Sequence, residues 1–160
     1  MFGKEDILVN NIAWLIRTSP VFPIFGSGRY RVQPIFVEDL AEIAVSQSNN
    51  TAGTTIDAIG PETFTFQELI ALIAEKIGKN PKVVKVPPSI GILCGHILGI
   101  FLRDVLLTRN ELKGLMKEML TSAQAPNGET RFSDWLEKNK STVGGAYSSE
   151  VARQFRWSAS

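Results

Sequence analysis

Phe25-Gly26-Ser27-Gly28-Arg29-Tyr30-Arg31-Val32-Gln33-Pro34-Ile35-Phe36-Val37-Glu38-Asp39 decides how this 160-residue chain is read. The stretch runs strand, glycine turn, strand, helix start. Val21 to Phe25 is a short strand that Pro23 confines to an edge or to irregular pairing. Gly26 and Gly28 supply a hairpin turn with positive φ. Arg31 to Val37 is a second strand, interrupted at Pro34. Glu38 or Asp39 then starts a helix running to about Ser48, where an acid serves as cap and meets the positive end of the helix dipole.

The same alternation continues on both sides. Asp6 caps a helix from about Ile7 to Arg17, with Ile7, Leu8, Ile12, Leu15 and Ile16 on one face. Thr54 to Ile59 is predicted as a strand that Gly60-Pro61 breaks. Thr65-Phe66-Gln67-Glu68 is a capping box, and its helix ends at Gly78. Lys82 to Val86 is a strand closed by Pro87-Pro88. Ser89 opens an apolar helix to Leu102, and Thr108 to Glu111 is a second capping box with a helix to about Leu120. Ser133 to Lys138 and Ser148 to Phe155 are short helices. The expected architecture is mixed α/β (α+β): a small sheet with flanking helices, in one domain over residues 1–157. A sheet of few, short strands leaves edges open.

Bulk properties exclude several classes. Apolar residues make up 44% and charged residues 21%, the balance of a folded globular chain. Seventeen basic residues against sixteen acidic ones give no basic excess for nucleic acid. Cys94 is the single cysteine, so no internal disulfide forms. It sits in an apolar run and reads as a buried thiol. That run, Ile90 to Leu102, is short of the ~20 residues that span a bilayer. Its Gly91, Gly95 and Gly99 fall on one helix face and allow close packing on a partner protein or a membrane surface. The charged N-terminus lacks the apolar stretch of a signal peptide. A cytoplasmic location, with peripheral membrane association, is the expectation.

Taken together, Phe2-Gly3-x-x-Asp6, Phe25-Gly26-x-Gly28, Val37-x-Asp39-Leu40-Ala41, Ala58-Ile59-Gly60-Pro61-Glu62 and Val84-Lys85-Val86-Pro87 resemble one family. It is the extended and atypical short-chain dehydrogenase/reductase superfamily, the NAD(P)-dependent epimerase/dehydratases. The match covers residues 1–90 well and 90–155 loosely. In that family these elements lie late in a longer chain. The resemblance therefore implies the C-terminal, substrate-side portion of a Rossmann-type protein, with the dinucleotide-binding half upstream. It places Gly26, Ser27, Gly28, Arg29, Arg31 and Gln33 at the substrate cleft. NAD or NADP is expected in the full-length parent and none in this chain. The missing N-terminal half and, for the isolated chain, a second copy are the expected partners.

Departures from the family bear on activity. The Gly-x-x-Gly-x-x-Gly fingerprint is absent, and the glycines from Gly91 to Gly99 have the wrong spacing. The catalytic Tyr-x-x-x-Lys is absent too. Tyr30 is followed four residues on by Pro34, and Tyr147 by Val151. No catalytic residue is assigned, and the chain alone is expected to be inactive. Where nucleotide-sugar enzymes carry Arg-Asp-Phe, this chain has Val32, Gln33 and Pro34, and a valine cannot replace a bidentate guanidinium. Arg31, one position earlier, is the nearest phosphate contact. These losses point to the atypical branch, which includes the Rossmann-type accessory subunit of respiratory complex I. Two functions follow from the resemblance: the substrate-side piece of an epimerase/dehydratase-like oxidoreductase, or a non-catalytic interaction module of an accessory subunit.

The remaining singletons read as structural. His96 lies in an apolar helix, without a second histidine or a cysteine cluster for zinc. Arg29, Tyr30 and Arg31 read equally as a solvated hairpin tip or as contacts to an anion. Trp14, Trp135 and Trp157 suit packing or interface roles.

Overall fold

Asp6 caps the first helix as its position demands, its carboxylate accepting from the Val9 N–H at 2.7 Å. The structure is a computed structural model that describes residues 1–48, 53, 55–87, 114, 115, 117 and 119–149. Helix α1, Ile7–Thr18, buries Val9, Ile12, Ala13 and Ile16. That spacing puts one stripe on the core. Leu8, expected on this stripe, lies off it and is 56% exposed.

Strand β1, Val21–Phe25, follows directly. Its partner is not the segment after the glycine turn. It pairs in parallel with β4, Lys82–Val86, in the register Val21↔Lys82 to Phe25↔Val86. Strand β2, Arg31–Val32, pairs antiparallel with β3, Phe64–Thr65. The predicted hairpin is thus replaced by a turn that joins two separate two-stranded sheets. Pro34 explains the shortness of β2, since it has no N–H to continue a ladder. Beyond it, Phe2 makes an isolated parallel bridge to Phe36. The Phe2 N–H donates to the Ile35 carbonyl at 2.8 Å, and the Val37 N–H to the Phe2 carbonyl at 2.9 Å.

Helix α2, Val37–Gln47, starts one residue before the predicted acids, with Phe36 as its cap. Helix α3, Phe66–Lys76, opens on the predicted capping box, with both reciprocal bonds of Thr65 and Glu68 formed. Gly78 follows its end with φ 68°, the left-handed value favoured after a helix. Among the described residues the last helix, α4, is Phe132–Asn139. Described residues 55–59, predicted as a strand, carry none. Their backbone is claimed by a loop instead: the Ile59 N–H donates to Asn127 Oδ1 at 2.8 Å, and the Ile59 carbonyl accepts from the N–H groups of Asn127 and Gly128.

The architecture is mixed α/β, a small parallel pair with flanking helices, in keeping with a piece of a Rossmann-like fold. Its core joins Ile24 of β1, Ile70 and Ile73 of α3, and Phe132 and Leu136 of α4 to Phe2. Burying each such side chain contributes on the order of 1.5–3 kcal/mol. Phe2 is the hub, its ring 5.4 Å from Phe36, 5.1 Å from Phe132 and 5.4 Å from Trp135. The predicted segments Ser89–Leu102 and Thr108–Glu111, with His96, Cys94 and Trp157, lie outside the described residues. So does most of the predicted helix Ser148–Phe155. Among the described residues, no helix is long and apolar enough to cross a membrane.

Candidate functional site

Strands β1 and β4 end side by side at Phe25 and Val86, and the Gly26–Arg29 turn leaves from there. In open α/β sheets, ligands gather outside the carboxyl ends of parallel strands. The turn occupies that position. The Gly26 N–H donates to the Val86 carbonyl at 2.9 Å, tying the turn to both strands. Gly26 and Gly28 have φ 64° and 69°, as the sequence required. A Cβ on Gly28 would lie 2.7 Å from Ile24 Cγ2. Ser27 is exposed, and its hydroxyl accepts from the Arg29 N–H at 3.2 Å.

Beyond the turn the chain alternates. Arg29 and Arg31 are exposed, whereas Tyr30 and Val32 are buried. Two guanidinium groups therefore share the outer side of one extended segment. The start of α3 packs underneath. The Gln67 N–H donates to the Gly28 carbonyl at 3.0 Å and the Phe66 N–H to the Tyr30 carbonyl at 2.9 Å. The Glu68 N–H is taken by Thr65 Oγ1. With these three donors spent, the arginines are the cationic groups of this rim.

Gln33 has a different task. Its Nε2 donates to the Gly60 carbonyl at 3.0 Å, and its Oε1 accepts from the Ser122 N–H at 3.4 Å. Its own N–H donates to the Leu120 carbonyl. Gln33 thus clamps two loops, while Gly26, Ser27, Gly28, Arg29 and Arg31 remain together on the turn and the strand that follows it.

Tyr30 is the unusual group at this rim. Its ring stacks on Phe66 at 5.3 Å between centroids. Its hydroxyl is buried and has no hydrogen-bond partner among the described residues. Burial pushes the phenol up to about 12.

The sequence reading missed the clamp made by residues 120–133. Asp39, read as a helix cap, instead accepts from the Glu129 N–H at 2.8 Å, the Thr130 N–H at 2.7 Å and the Thr130 hydroxyl at 2.8 Å. Glu62 accepts from the Ser133 N–H and hydroxyl at the start of α4, and from Arg131 Nη2 at 2.8 Å. Burial of Glu62 works against ionisation, but the Ser133 bonds and the Arg131 charge outweigh it and hold the carboxyl below its usual range. Asn127 donates to the Asp57 carbonyl and accepts from Ile59. Two glycines make the fit. A Cβ on Gly60 would sit 1.8 Å from the Pro34 carbonyl oxygen, and one on Gly128 would crowd Ile35 and Asp39. The Asn127-Gly128 dipeptide was the available signal, since it marks a turn.

Among the described residues, no group of three or more His, Cys, Asp or Glu side chains is placed to hold a metal. The geometry is that of a cationic rim on a parallel strand pair.

No protein-family model matches the chain. Over 90 residues, 54% of this chain and 22% of the relative, it is 30% identical to NADH dehydrogenase (ubiquinone) 1 alpha subcomplex subunit 9, mitochondrial, of Arabidopsis thaliana. Over 130 residues, 78% of this chain and 36% of the relative, it is 23% identical to the protein of the same name from Dictyostelium discoideum. The chain is thus homologous, over part of its length, to this subunit and spans between 22% and 36% of the relatives' length.

Proposed function

We propose that the chain is a non-catalytic interaction module, the substrate-side portion of an epimerase/dehydratase-like accessory subunit of an NADH dehydrogenase (ubiquinone) assembly. The observation that carries this reading is the 30% identity over 90 residues to subunit 9 of that name. An epitope-tagged copy expressed in its source cells is expected to comigrate with NADH-oxidising activity on native gels. Migration only as a small free species overturns the reading. A homodimer of the isolated chain belongs to the same proposal. Helix α2 buries none of its residues, and Val45 on it is 71% exposed, which gives such a dimer an apolar contact. Light scattering that returns 17.6 kDa at every dilution excludes the dimer.

The second reading is a substrate cleft in a catalytic parent, with NAD or NADP held by the parent's dinucleotide-binding half. The position of Gly26–Arg29 at the carboxyl ends of β1 and β4 favours it. Arg29 and Arg31 would meet an anionic substrate there, with Gly26, Ser27 and Gly28 forming the floor. Calorimetry of the isolated chain is expected to show no NADH or NADPH binding, and a micromolar constant contradicts both readings.

A further inference from the structure

We propose that the outer edge of β4 takes up an extended peptide strand whose apolar side chain enters the cavity beside it and whose carboxylates meet the lysines along it. Among the described residues, β4 pairs with β1 alone. The Lys82 N–H donates to the Pro20 carbonyl, and the Val86 carbonyl accepts from Gly26. In a parallel ladder, alternate residues face the same neighbour. Lys82, Val84 and Val86 therefore face β1, and the N–H and C=O groups of Val83 and Lys85 point to the open side. Such a row is a template for another strand.

Beside this edge lies a cavity of about 330 Å³. Ile70, Ala71 and Ala74 of α3 form one wall and Val83 of β4 the other, with Glu75 and Lys79 also lining it. Val83 is 40% exposed there. A strand edge with an adjacent side-chain pocket has the two parts that strand addition uses: main-chain bonds for affinity and a pocket for selection.

Charge selects the occupant. Lys79 and Lys85 are exposed on the side of Val83, and Lys82 is exposed on the opposite face of the same edge, with Glu75 the one acid lining the cavity. Two β4 edges from two copies would set lysines against lysines, which opposes pairing. An acidic strand carrying one aliphatic side chain complements the site. This uptake goes beyond the assembly reading, because it uses neither the cationic rim nor α2.

The test is fluorescence polarisation on the full chain, with fluorescein-labelled Asp-Val-Glu-Leu-Glu-Val-Asp as the probe. Saturable binding that weakens with salt is expected. Lys85→Pro removes one outward N–H without touching the β1 ladder and should weaken binding by about five- to tenfold. Lys85→Gln should weaken it and flatten the salt dependence, and Ala71→Phe should weaken it by filling the cavity from an exposed helix position. Wild-type chain titrated with the alternately N-methylated peptide needs no variant to fold, and binding should be lost. The proposal is overturned by equal affinity for the methylated peptide, by unchanged affinity of a folded Lys85→Pro chain, or by no saturation up to millimolar peptide.

Discussion

Replacing Tyr30 with Phe should stabilise this protein. The hydroxyl is buried and has no partner among the described residues. A buried polar group left unpaired costs about 1–3 kcal/mol. Phenylalanine keeps the ring and its 5.3 Å stack on Phe66. The only loss is the packing of one oxygen atom, a few tenths of a kcal/mol. A net gain of about 1 kcal/mol is expected, which for a chain of this size raises Tm by roughly 2–4 °C. Urea unfolding should show a higher midpoint at unchanged m-value. The alkaline limb supplies a second measurement. The phenol ionises at about 10.0 when unfolded and at about 12 when folded, so the folded state holds its proton more tightly. Stability is therefore full below pH 10 and declines as pH rises through 12, and Tyr30→Phe should remove that decline. A lower midpoint, with an unaltered alkaline limb, would refute the reasoning by showing that the hydroxyl is well paired.

Three further changes test other parts of the fold. Gly28→Val places a β-branched residue at φ 69° with its Cβ 2.7 Å from Ile24, and should cost about 1–3 kcal/mol in thermal melts; an unchanged Tm contradicts the turn geometry. Asp39→Ala strips the acceptor from Glu129 and Thr130 and should cost about 1–2 kcal/mol, with faster limited proteolysis between 120 and 131 as its signature; unchanged cleavage would mean that the loop is held elsewhere. Lys140 and Lys76 hold Glu137 down at about 2 by hydrogen bonding and charge, so its contribution is present above about pH 4.5 and is lost as pH falls toward 2. Glu137→Gln should flatten that part of the acid-denaturation curve, and an identical curve contradicts the pairing.

Local signals were legible in the sequence. Asp6, the Thr65–Glu68 box and Gly78 act within a few residues of themselves, and each marks the helix boundary it should. The same holds for the positive φ at Gly26 and Gly28, because only glycine adopts it at low cost. Partner choice was not legible. A glycine turn between two strands reads as a hairpin, but Pro34 shortened β2, and β1 took a parallel partner 61 residues later in register. Asp39 shows the same limit: an acid at a helix start suits the dipole whether or not a distant loop claims its oxygens. Leu8 and the segment before Ile59 failed for related reasons. Periodicity gives a face, and tertiary contacts decide which side of that face meets the core. Of the candidate residues, Gly26 to Gly28, Arg29 and Arg31 share one turn and the segment after it, while the Gln33 amide bonds the backbones of Gly60 and Ser122, contacts that no local pattern announces.

The clamp at Asp39 imposes an order on synthesis. Its carboxylate sits at the start of α2, yet its partner Thr130 lies 91 residues downstream. At ribosomal speeds of about 5–20 residues per second, roughly 5–18 s separate the appearance of the two. Throughout that interval the unpaired Asp39 carboxylate and the ring of Phe2 wait without the loop and helix α4 that later meet them. A stop codon placed before Thr130 would leave a product with its first half synthesised but unlatched, so premature termination here should yield degradation rather than a shorter stable protein.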